Sequence, residues 1–302
     1  ASTTLSGART SLASDLAGNG GKTITLAFAT GECGSENFGG VPGDAMASAN
    51  VSALNGAGID FIVSTGGAAG SFTCGSDAGF ETFLARWSSS HLVGVDFDIE
   101  AGQSQAVIAA LVQRIAAAHG AHPGLRFSLT LATLANNDGA SSAQSLGSGA
   151  PDSFNTYGDE AIAAVKSTFG GGIPSYVTFN LMTMDFGSPS AGVCVVSGGA
   201  CQMAQSAMQA AYNLHDHWGV PWANIELTPM IGGNDTAGES FTLNDVDTIS
   251  QFAITNGLAG IHYWSYDRDT DCAPGYASPT CNSIGGAGAH GYLQRFLADG
   301  LK

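Results

Sequence analysis

Three carboxylates recur at every second position in the run GVDFDIE, as Asp96, Asp98 and Glu100. The run is rich in apolar and β-branched residues, so it predicts a strand whose side chains alternate between two faces. The three acids then share one face, each roughly 7 Å from the next. Like charges at this range raise one another's pKa and favour shared protons. Acid–base catalysis uses such a row, and the alternatives are a calcium or magnesium site or an inert row.

The charge balance restricts the partners of the chain. Its 302 residues include 9 Lys and Arg against 25 Asp and Glu, for a formal net charge of −16. This charge disfavours nucleic acid, because binding there depends on neutralising phosphates with cations, and it disfavours anionic membranes. No run of about 18 apolar residues predicts a membrane span. We therefore expect no nucleic-acid partner and no membrane partner, whereas a neutral polymer is not repelled.

Six cysteines indicate disulfides and hence an oxidising compartment. None of them forms a C-x-x-C pair, and six cysteines allow fifteen pairings. Free buried thiols are the alternative. Locality favours three pairs, which are Cys194 with Cys201, Cys272 with Cys281, and Cys33 with Cys74. With a glycine-rich, weakly charged composition, this predicts a secreted, extracellular protein of bacterial type, and a signal peptide, if there was one, has already been removed.

Strand-like and helix-like segments alternate along the chain. The strands are predicted at Thr23–Thr30, Asp60–Gly67, Leu92–Glu100, Leu125–Thr133, Tyr176–Phe186, Asn224–Ile231 and Leu258–Asp267. Helices are predicted at Gln103–His119, at Met203–Trp218, and from a capping box at Thr242 and Asp245 to near Gly257. The alternation is typical of a parallel sheet with helices outside it. We therefore predict an α/β fold of the (β/α)8 TIM-barrel type, with the acidic row near the strand end where barrel active sites lie.

The start of the chain leaves the strand count open. Seven strands are evident, whereas a closed barrel of this type has eight. The chain opens almost directly into a helix-like segment, Leu5–Leu16, so the first strand is short, within Ala1–Leu5, or missing. A doubly wound open sheet is the alternative fold. Since no linker or composition break splits the chain, we predict a single catalytic barrel domain over residues 1–302.

The acidic strand resembles the signature of glycoside hydrolase family 18, which is D-G-x-D-x-D-x-E. Residues 93–100 read V-G-V-D-F-D-I-E, so Asp96, Asp98 and Glu100 match and Val93 replaces the first Asp. Val93 has the opposite strand parity, and its substitution therefore leaves the acidic row complete. This motif is the most specific part of the resemblance.

Three weaker matches follow in the order that the family has. Val63–Gly67 reads VSTGG and is similar to an S-x-G-G strand, and Met182–Asp185 reads MTMD, which is similar to M-x-Y-D with Met184 in place of Tyr. Trp264 matches a Trp that floors the sugar pocket, although a Trp in a barrel wall is also ordinary core. The resemblance implies substrate binding by Ser64, Met182, Met184, Asp185 and Trp264. Strand parity places Met184 and Asp185 on opposite faces, so both reach the site only if the strand end bulges.

The resemblance implies a chitinase, a retaining endo-type enzyme that hydrolyses β-1,4-linked N-acetylglucosamine polymers by substrate-assisted catalysis. In this scheme Glu100 protonates the glycosidic oxygen, and the 2-acetamido carbonyl of the substrate attacks the anomeric carbon. Asp98 holds the acetamido N–H and shares a proton with Asp96, while Asp185 hydrogen-bonds the sugar. Met184 cannot donate the hydrogen bond of the usual Tyr, so another donor serves or that contribution is lost.

Two other functions remain open at this point. An endo-β-N-acetylglucosaminidase acting on N-glycans uses the same chemistry, and the Met184 substitution keeps a non-catalytic chitin-binding relative in view. The partner expected is chitin or a chitooligosaccharide, and we expect a monomer without cofactor or metal. The aspartates after the last strand predict a solvated loop, with a calcium site as the alternative; they are Asp267, Asp269 and Asp271.

Overall fold

Seven strands and the helices between them form the framework of the protein. A computed structural model describes residues 2–3, 9–100, 102–137 and 153–301. The strands are β1 Thr23–Ala29, β2 Asp60–Gly66, β3 Leu92–Ile99, β4 Arg126–Ala132, β5 Val177–Met182, β6 Ile225–Thr228 and β7 Gly260–Ile261. The helices are α1 Leu12–Gly18, α2 Gly43–Ala57, α3 Asp77–Trp87, α4 Gln105–His119, α5 Thr156–Thr168, α6 Met203–Trp218, α7 Leu243–Asn256 and α8 Gly291–Ala298.

Strands β1 to β7 make one sheet in which each strand neighbours the next in chain order. The pairs β1–β2, β2–β3, β5–β6 and β6–β7 are parallel. A helix lies in sequence between every two consecutive strands, as parallel pairing requires. Sequential order with outer helices is the arrangement of a (β/α) barrel rather than of a doubly wound sheet, whose strand order reverses. The predicted barrel fold is therefore confirmed.

The remaining elements are short. Two-residue strands pair as Ser2–Thr3 with Arg9–Thr10, Gly31–Glu32 with Phe72–Thr73, Asn37–Phe38 with Val41–Pro42, Val196–Ser197 with Ala200–Cys201, and Gly232–Gly233 with Ser240–Phe241. Single 3-10 turns lie at Trp222–Asn224 and Tyr266–Arg268. Among the described residues no helix is long and apolar enough to cross a membrane.

The beginning of the chain differs from the prediction. In the part of the chain that the structure describes, no eighth strand joins the main sheet, and Ser2–Thr3 pairs antiparallel with Arg9–Thr10 instead. The predicted helix Leu5–Leu16 is wrong over Arg9–Thr10, and residues 5–8 lie outside the described residues. The helix starts at Leu12 because the Ser11 hydroxyl caps it by accepting from the Ser14 N–H at 3.2 Å.

The chain divides into two compact units, which are described separately below. The first comprises Ala1–Thr130 with Glu160–Val177, and the second comprises Leu131–Asp159 with Thr178–Lys302. That residues 1–302 make one catalytic domain stays a prediction.

Aromatic packing orients β3 within the first unit. The Phe97 ring contacts Phe72 and Phe80, with ring centroids 6.2 and 6.0 Å apart, and Phe80 lies on α3. These side chains are fully buried, and burial of such rings is a large apolar contribution to stability. Because Phe97 faces α3, the alternating carboxylates of β3 face the other side of the sheet.

The second unit repeats this arrangement on β5 and β6. One face of these strands is apolar and fully buried, through Phe179, Leu181, Ile225 and Leu227. The opposite face is polar except for Met182, with Asn180 paired in register to Glu226 and Met182 to Thr228. Helix α7 begins at the predicted capping box, in which Thr242 and Asp245 exchange hydrogen bonds. A polar inner face on these strands is where a barrel places its functional residues.

Three disulfides close the loops as the locality of the cysteines predicted. They join Cys33 to Cys74, Cys194 to Cys201, and Cys272 to Cys281. The first links the segments that follow β1 and β2, and the other two close short loops in the second unit. Constrained loops of this kind reduce the conformational freedom of the unfolded chain and so stabilise the folded state.

Candidate active site

The acidic row lies along β3 in the first unit. Asp96 and Asp98 are buried, and Glu100, the residue after the strand ends at Ile99, is half-buried. The burial of two successive acids on one strand face is costly unless partners or protons compensate for it. The surroundings of each carboxylate therefore show which of them carry charge.

Asp96 is surrounded by hydroxyl donors from both neighbouring strands. Ser64 of β2 donates to Oδ2 at 2.5 Å, while Ser128 and Thr130 of β4 each donate to Oδ1 at 2.7 Å. The Thr65 hydroxyl also donates to the Asp96 backbone carbonyl at 3.0 Å. Three hydroxyl donors stabilise an ionised carboxylate, which can only accept hydrogen bonds. Asp96 is therefore suited to hold the negative charge of the row.

Asp98 has a different environment. Its Oδ1 is buried and has no hydrogen-bond partner among the described residues. Burial raises the pKa of the Asp98 carboxyl well above its usual value, and the negative charges of Asp96 and Glu100 raise it further. A carboxyl of this kind retains its proton to higher pH. This combination of burial and like charge is typical of functional sites.

Glu100 stands where β3 gives way to a loop. Burial raises the pKa of the Glu100 carboxyl, and a hydrogen bond from the Ala68 backbone lowers it in part. The raised pKa favours a protonated carboxyl at less acidic pH, which is what a general acid requires.

Two glycines, Gly66 at the end of β2 and Gly67 just after it, allow the backbone to approach the acidic strand. A Cβ at Gly66 would lie 2.1 Å from the Asp98 carbonyl oxygen, and Gly66 has φ +89°. Gly67 has φ +82°, and its N–H donates to the same carbonyl at 3.2 Å. Only glycine fits a left-handed position with so close an approach. The VSTGG run therefore places both the Ser64 hydroxyl and the loop that reaches Glu100.

The MTMD segment lies in the second unit. Strand β5 ends at Met182, and Met184 and Asp185 follow it as half-buried residues. Asp185 has a left-handed backbone, with φ 50°. The strand predicted to reach Phe186 ends four residues earlier, at Met182, so strand parity does not apply to Met184 and Asp185.

A loop after β6 holds Asp185 in place. The Asp185 Oδ1 accepts from the Thr236 N–H at 2.8 Å, and the Asp185 N–H donates to Asn234 Oδ1 at 3.3 Å. Glu239 is buried beside them and accepts from the N–H groups of Phe186 and Gly187 at 3.1 and 2.9 Å. Burial raises the pKa of Glu239, while these backbone donors lower it. Asp185 is thus a fixed carboxylate of the second unit.

Trp264 lies just beyond β7 and is 40% exposed. The Trp264 backbone N–H donates to the Pro229 carbonyl at 2.9 Å, and the Trp264 carbonyl accepts from the Ile231 backbone N–H at 2.9 Å. The peptide bond between Trp264 and Ser265 is cis. This exposure is too high for an ordinary core residue, and it agrees with a surface that a ligand can cover.

Sequence reasoning did not assign Ser128 and Thr130, although they alternate along a predicted strand in the same way as the acids. Glu226 is a further buried acid, and no sequence motif indicated a role for it. Its Oε2 lies 3.1 Å from His262 Nε2. Polar residues at every second position of a strand beside an acidic row are the sequence pattern that identifies residues such as Ser128 and Thr130.

A metal site needs three or more ligand atoms close together. Among the residues that the structure describes, three or more potential ligand side chains lie within 4.8 Å of one another only at Glu32, Cys33 and Cys74. Both sulfurs belong to a disulfide, so they do not act as thiolate ligands. The acidic row does not converge in this way. The predicted solvated loop agrees with the exposed Asp267 and Asp271 and is wrong for Asp269, which is buried and accepts from the N–H groups of Tyr292 and Leu293. Asp271 also accepts from the backbone N–H groups of residues 286–288.

The fold places this protein in the class of (β/α) barrels with an acidic row on one strand. Among solved structures, the chain is similar to the catalytic domain of a hyperthermophilic chitinase from Pyrococcus furiosus, with 22% identity over 96% of this chain and 90% of that chain and a TM-score of 0.73. A structure of catalytic-site mutants of active domain 2 of the thermostable chitinase from that organism, complexed with chito-oligosaccharides, is 22% identical over 95% and 88%, with a TM-score of 0.70.

A chitinase from Ipomoea carnea is more distant, at 17% identity over 85% of this chain and 90% of that chain, with a TM-score of 0.52. No protein-family model and no curated protein matches the chain. At these identities the similarity shows the fold. At the level of the fold, it confirms the resemblance drawn from the acidic strand.

Proposed function

We propose that this protein is a glycoside hydrolase that cleaves β-1,4-linked N-acetylglucosamine polymers, with chitin as its substrate. The observation that carries the proposal is the pairing of two buried acids in different states on β3. Asp96 accepts three side-chain hydroxyl donors, whereas Asp98 has a raised pKa and an oxygen without a partner. The similar solved structures are chitinase domains, one of them complexed with chito-oligosaccharides, and they support the same substrate class.

The reaction follows from the order of the acids along β3. Glu100, protonated because burial raises its pKa, gives its proton to the glycosidic oxygen as the bond to the anomeric carbon breaks. The 2-acetamido carbonyl oxygen of the same sugar attacks that carbon and forms a cyclic oxazolinium ion. Asp98 passes its proton to Asp96, accepts the hydrogen bond of the acetamido N–H, and as a carboxylate balances the positive charge. Water, deprotonated by Glu100, then opens the ring with retention of configuration.

The other predicted site residues belong to the proposal as sugar contacts or as positioning residues. The fixed Asp185 carboxylate hydrogen-bonds the sugar, and Trp264 stacks on its apolar face. Ser64 acts through Asp96 as a positioning residue. Met182 and Met184 contribute apolar contact, and Met184 offers no hydrogen-bond donor for the acetamido oxygen. Endo-type cleavage, action as a monomer and secretion complete the proposal, and the three disulfides are compatible with an oxidising compartment.

The decisive experiment compares Glu100→Gln with a matched carboxylate variant. We expect Glu100→Gln to lower kcat on chitin hexamer by about 10²- to 10⁴-fold, the usual contribution of a general acid. Glu81→Gln removes an exposed carboxylate of α3 that pairs with His122, and it should keep full activity. Product length and the anomer seen early by NMR report endo action and retention. Full activity of Glu100→Gln would contradict the assignment.

The same preparation separates the other candidate functions. Release of glycan from a denatured glycoprotein, with no action on chitin hexamer, would assign the protein to endo-β-N-acetylglucosaminidases. Tight binding of chitin by the wild-type protein without hydrolysis would identify a non-catalytic relative.

A further inference from the structure

The loop between β7 and α8 presents an aromatic ring to solvent. Tyr276 is 98% exposed, whereas the next most exposed large apolar side chain among the described residues, Ile254, is 52% exposed. Single exposed apolar residues are common on protein surfaces. Tyr276 differs from such residues because the segment that carries it is held by a disulfide and by a dense set of hydrogen bonds.

The disulfide between Cys272 and Cys281 closes the loop at its base. Inside this closure, the Ser278 N–H donates to Ser283 Oγ at 3.1 Å, and the Gly275 N–H donates to the Ser283 carbonyl at 3.2 Å. A loop fixed in this way has already lost most of its backbone entropy. Binding through Tyr276 therefore costs little additional ordering, as preorganisation requires.

The buried Arg268 ties this loop to the segment that holds Trp264. Its guanidinium donates to the carbonyl of Ser278 in the loop, and also to the carbonyls of Ile231 and Gly233. The Ile231 N–H in turn donates to the Trp264 carbonyl at 2.9 Å. The two exposed aromatic residues are thus mounted on one hydrogen-bonded framework within the second unit.

The position of the loop in the fold indicates the kind of partner. It follows the carboxyl end of β7, and loops at this end of the strands surround the substrate in (β/α) barrels. The chain's net charge of −16 disfavours polyanions and anionic membranes as partners for the ring. A neutral sugar polymer has pyranose faces of C–H groups, which pack against an aromatic ring and leave water as they do so.

We propose that Tyr276 is a surface contact for an insoluble β-linked N-acetylglucosamine polymer, used for adsorption to the solid and not for cleavage of short chains. The inference rests on the proposed function. A soluble oligosaccharide that fills only the catalytic cleft does not need this contact, whereas a polymer surface spans several loops. Tyr276 therefore affects the two kinds of substrate differently.

The test measures adsorption of Tyr276→Ala and Tyr276→Phe to powdered chitin, both in the Glu100→Gln background so that the solid is not consumed. We expect Tyr276→Ala to weaken adsorption about three- to tenfold, in line with the strength of aromatic contacts. Tyr276→Phe keeps the ring and should remain within about twofold. With Glu100 intact, both variants should hydrolyse chitin hexamer as the wild type does.

Each other result is informative. If Tyr276→Ala adsorbs as tightly as its parent while the wild type hydrolyses chitin hexamer, the inference is wrong and the proposed function stands. If Tyr276→Ala also loses hexamer hydrolysis, the residue acts in the cleft or in folding, and the inference is again wrong. If wild type neither adsorbs nor hydrolyses, the proposed function fails first. A change of sedimentation coefficient in Tyr276→Ala would assign the ring to contact between two copies of the chain, against the inference.

Discussion

Ser64 donates its hydroxyl hydrogen to Oδ2 of Asp96 over 2.5 Å, and the two residues are register partners on β2 and β3. The contact therefore follows from the parallel register itself. A slip of one residue would exchange every side chain between the two faces of the strand and bring apolar residues to the site. The VSTGG and DFDIE runs, which are separate in sequence, therefore lie on two paired strands and together form the surroundings of Asp96.

The hydroxyls around Asp96 should stabilise the folded protein. Thr130→Val removes one donor to this buried carboxylate, so we expect the free energy of unfolding to fall by about 1.5–3 kcal/mol. Thr178→Val is the matched control on β5, because the buried Thr178 hydroxyl has no hydrogen-bond partner among the described residues. That change should be neutral or stabilising. Urea unfolding followed by circular dichroism measures both, and equal losses would show that the Asp96 contact has no special weight.

Asp98 should reduce stability at neutral pH. Its raised pKa means that, above pH 3.8, the unfolded chain has released a proton that the folded protein still holds. Stability then falls as pH rises from 3.8 toward the folded pKa. Asp98→Asn removes this penalty, so we expect the variant to be more stable than the wild type at pH 8. The gain should shrink as pH approaches 4, and hydrolysis should be lost.

Asp247 provides the control of opposite sign for this titration. A hydrogen bond from Arg295 lowers the pKa of the Asp247 carboxyl, so its ionised form stabilises the fold above the usual pKa and that contribution is lost in acid. Asp247→Asn should therefore be less stable than the wild type at pH 8. Urea midpoints at pH 4, 6 and 8 compare the variants. An Asp98→Asn protein that is less stable at pH 8 would contradict the assignment of the penalty to Asp98.

The approach of Gly66 to β3 should tolerate no side chain. A Cβ there meets a backbone carbonyl at 2.1 Å and needs a left-handed φ, so Gly66→Ala should cost about 3–5 kcal/mol. Gly40 has a similar φ of +91°, and nothing lies within 4 Å of its Cβ position. Gly40→Ala then shows only the backbone strain, about 1–2 kcal/mol. Thermal and urea unfolding of the pair would reveal whether close approach, and not φ alone, requires glycine at position 66.

Much of the fold was predictable because it depends on local patterns. Runs rich in apolar and β-branched residues located the seven strands. The positions of the cysteines in their loops indicated the disulfide pairs. The capping box at Thr242 located the start of α7 because a cap needs only residues three apart. The helix predicted at Leu5–Leu16 was wrong in part because apolar spacing does not reveal that Arg9–Thr10 pairs with Ser2–Thr3.

The site was predictable where it lies on a regular strand and less so where the chain turns. Alternation was sufficient to place Asp96 and Asp98 on one face. Asp185 could not be placed in this way, since nothing in MTMDF indicates that β5 stops at Met182 and that a non-glycine residue adopts φ 50°. The loop contacts that hold Asp185, from Asn234 and Thr236, depend on residues about 50 positions away. Tertiary structure alone shows them.

A Trp264 variant tests whether this residue contacts the sugar or contributes to the core. Because Trp264 is 40% exposed, Trp264→Ala should lower the free energy of unfolding by less than the truncation of a fully buried Trp does, since part of its apolar surface already faces water. We expect KM for chitin hexamer to rise about tenfold, since an aromatic contact contributes about 1.5 kcal/mol, with kcat within about threefold. Trp87→Ala, at a fully buried position, should lose about 3–5 kcal/mol. Steady-state kinetics measure KM and kcat, and urea unfolding measures the stability of both variants. If Trp264→Ala were as destabilised as Trp87→Ala, Trp264 would be a structural residue, because its ring would then contribute more to packing than to substrate binding.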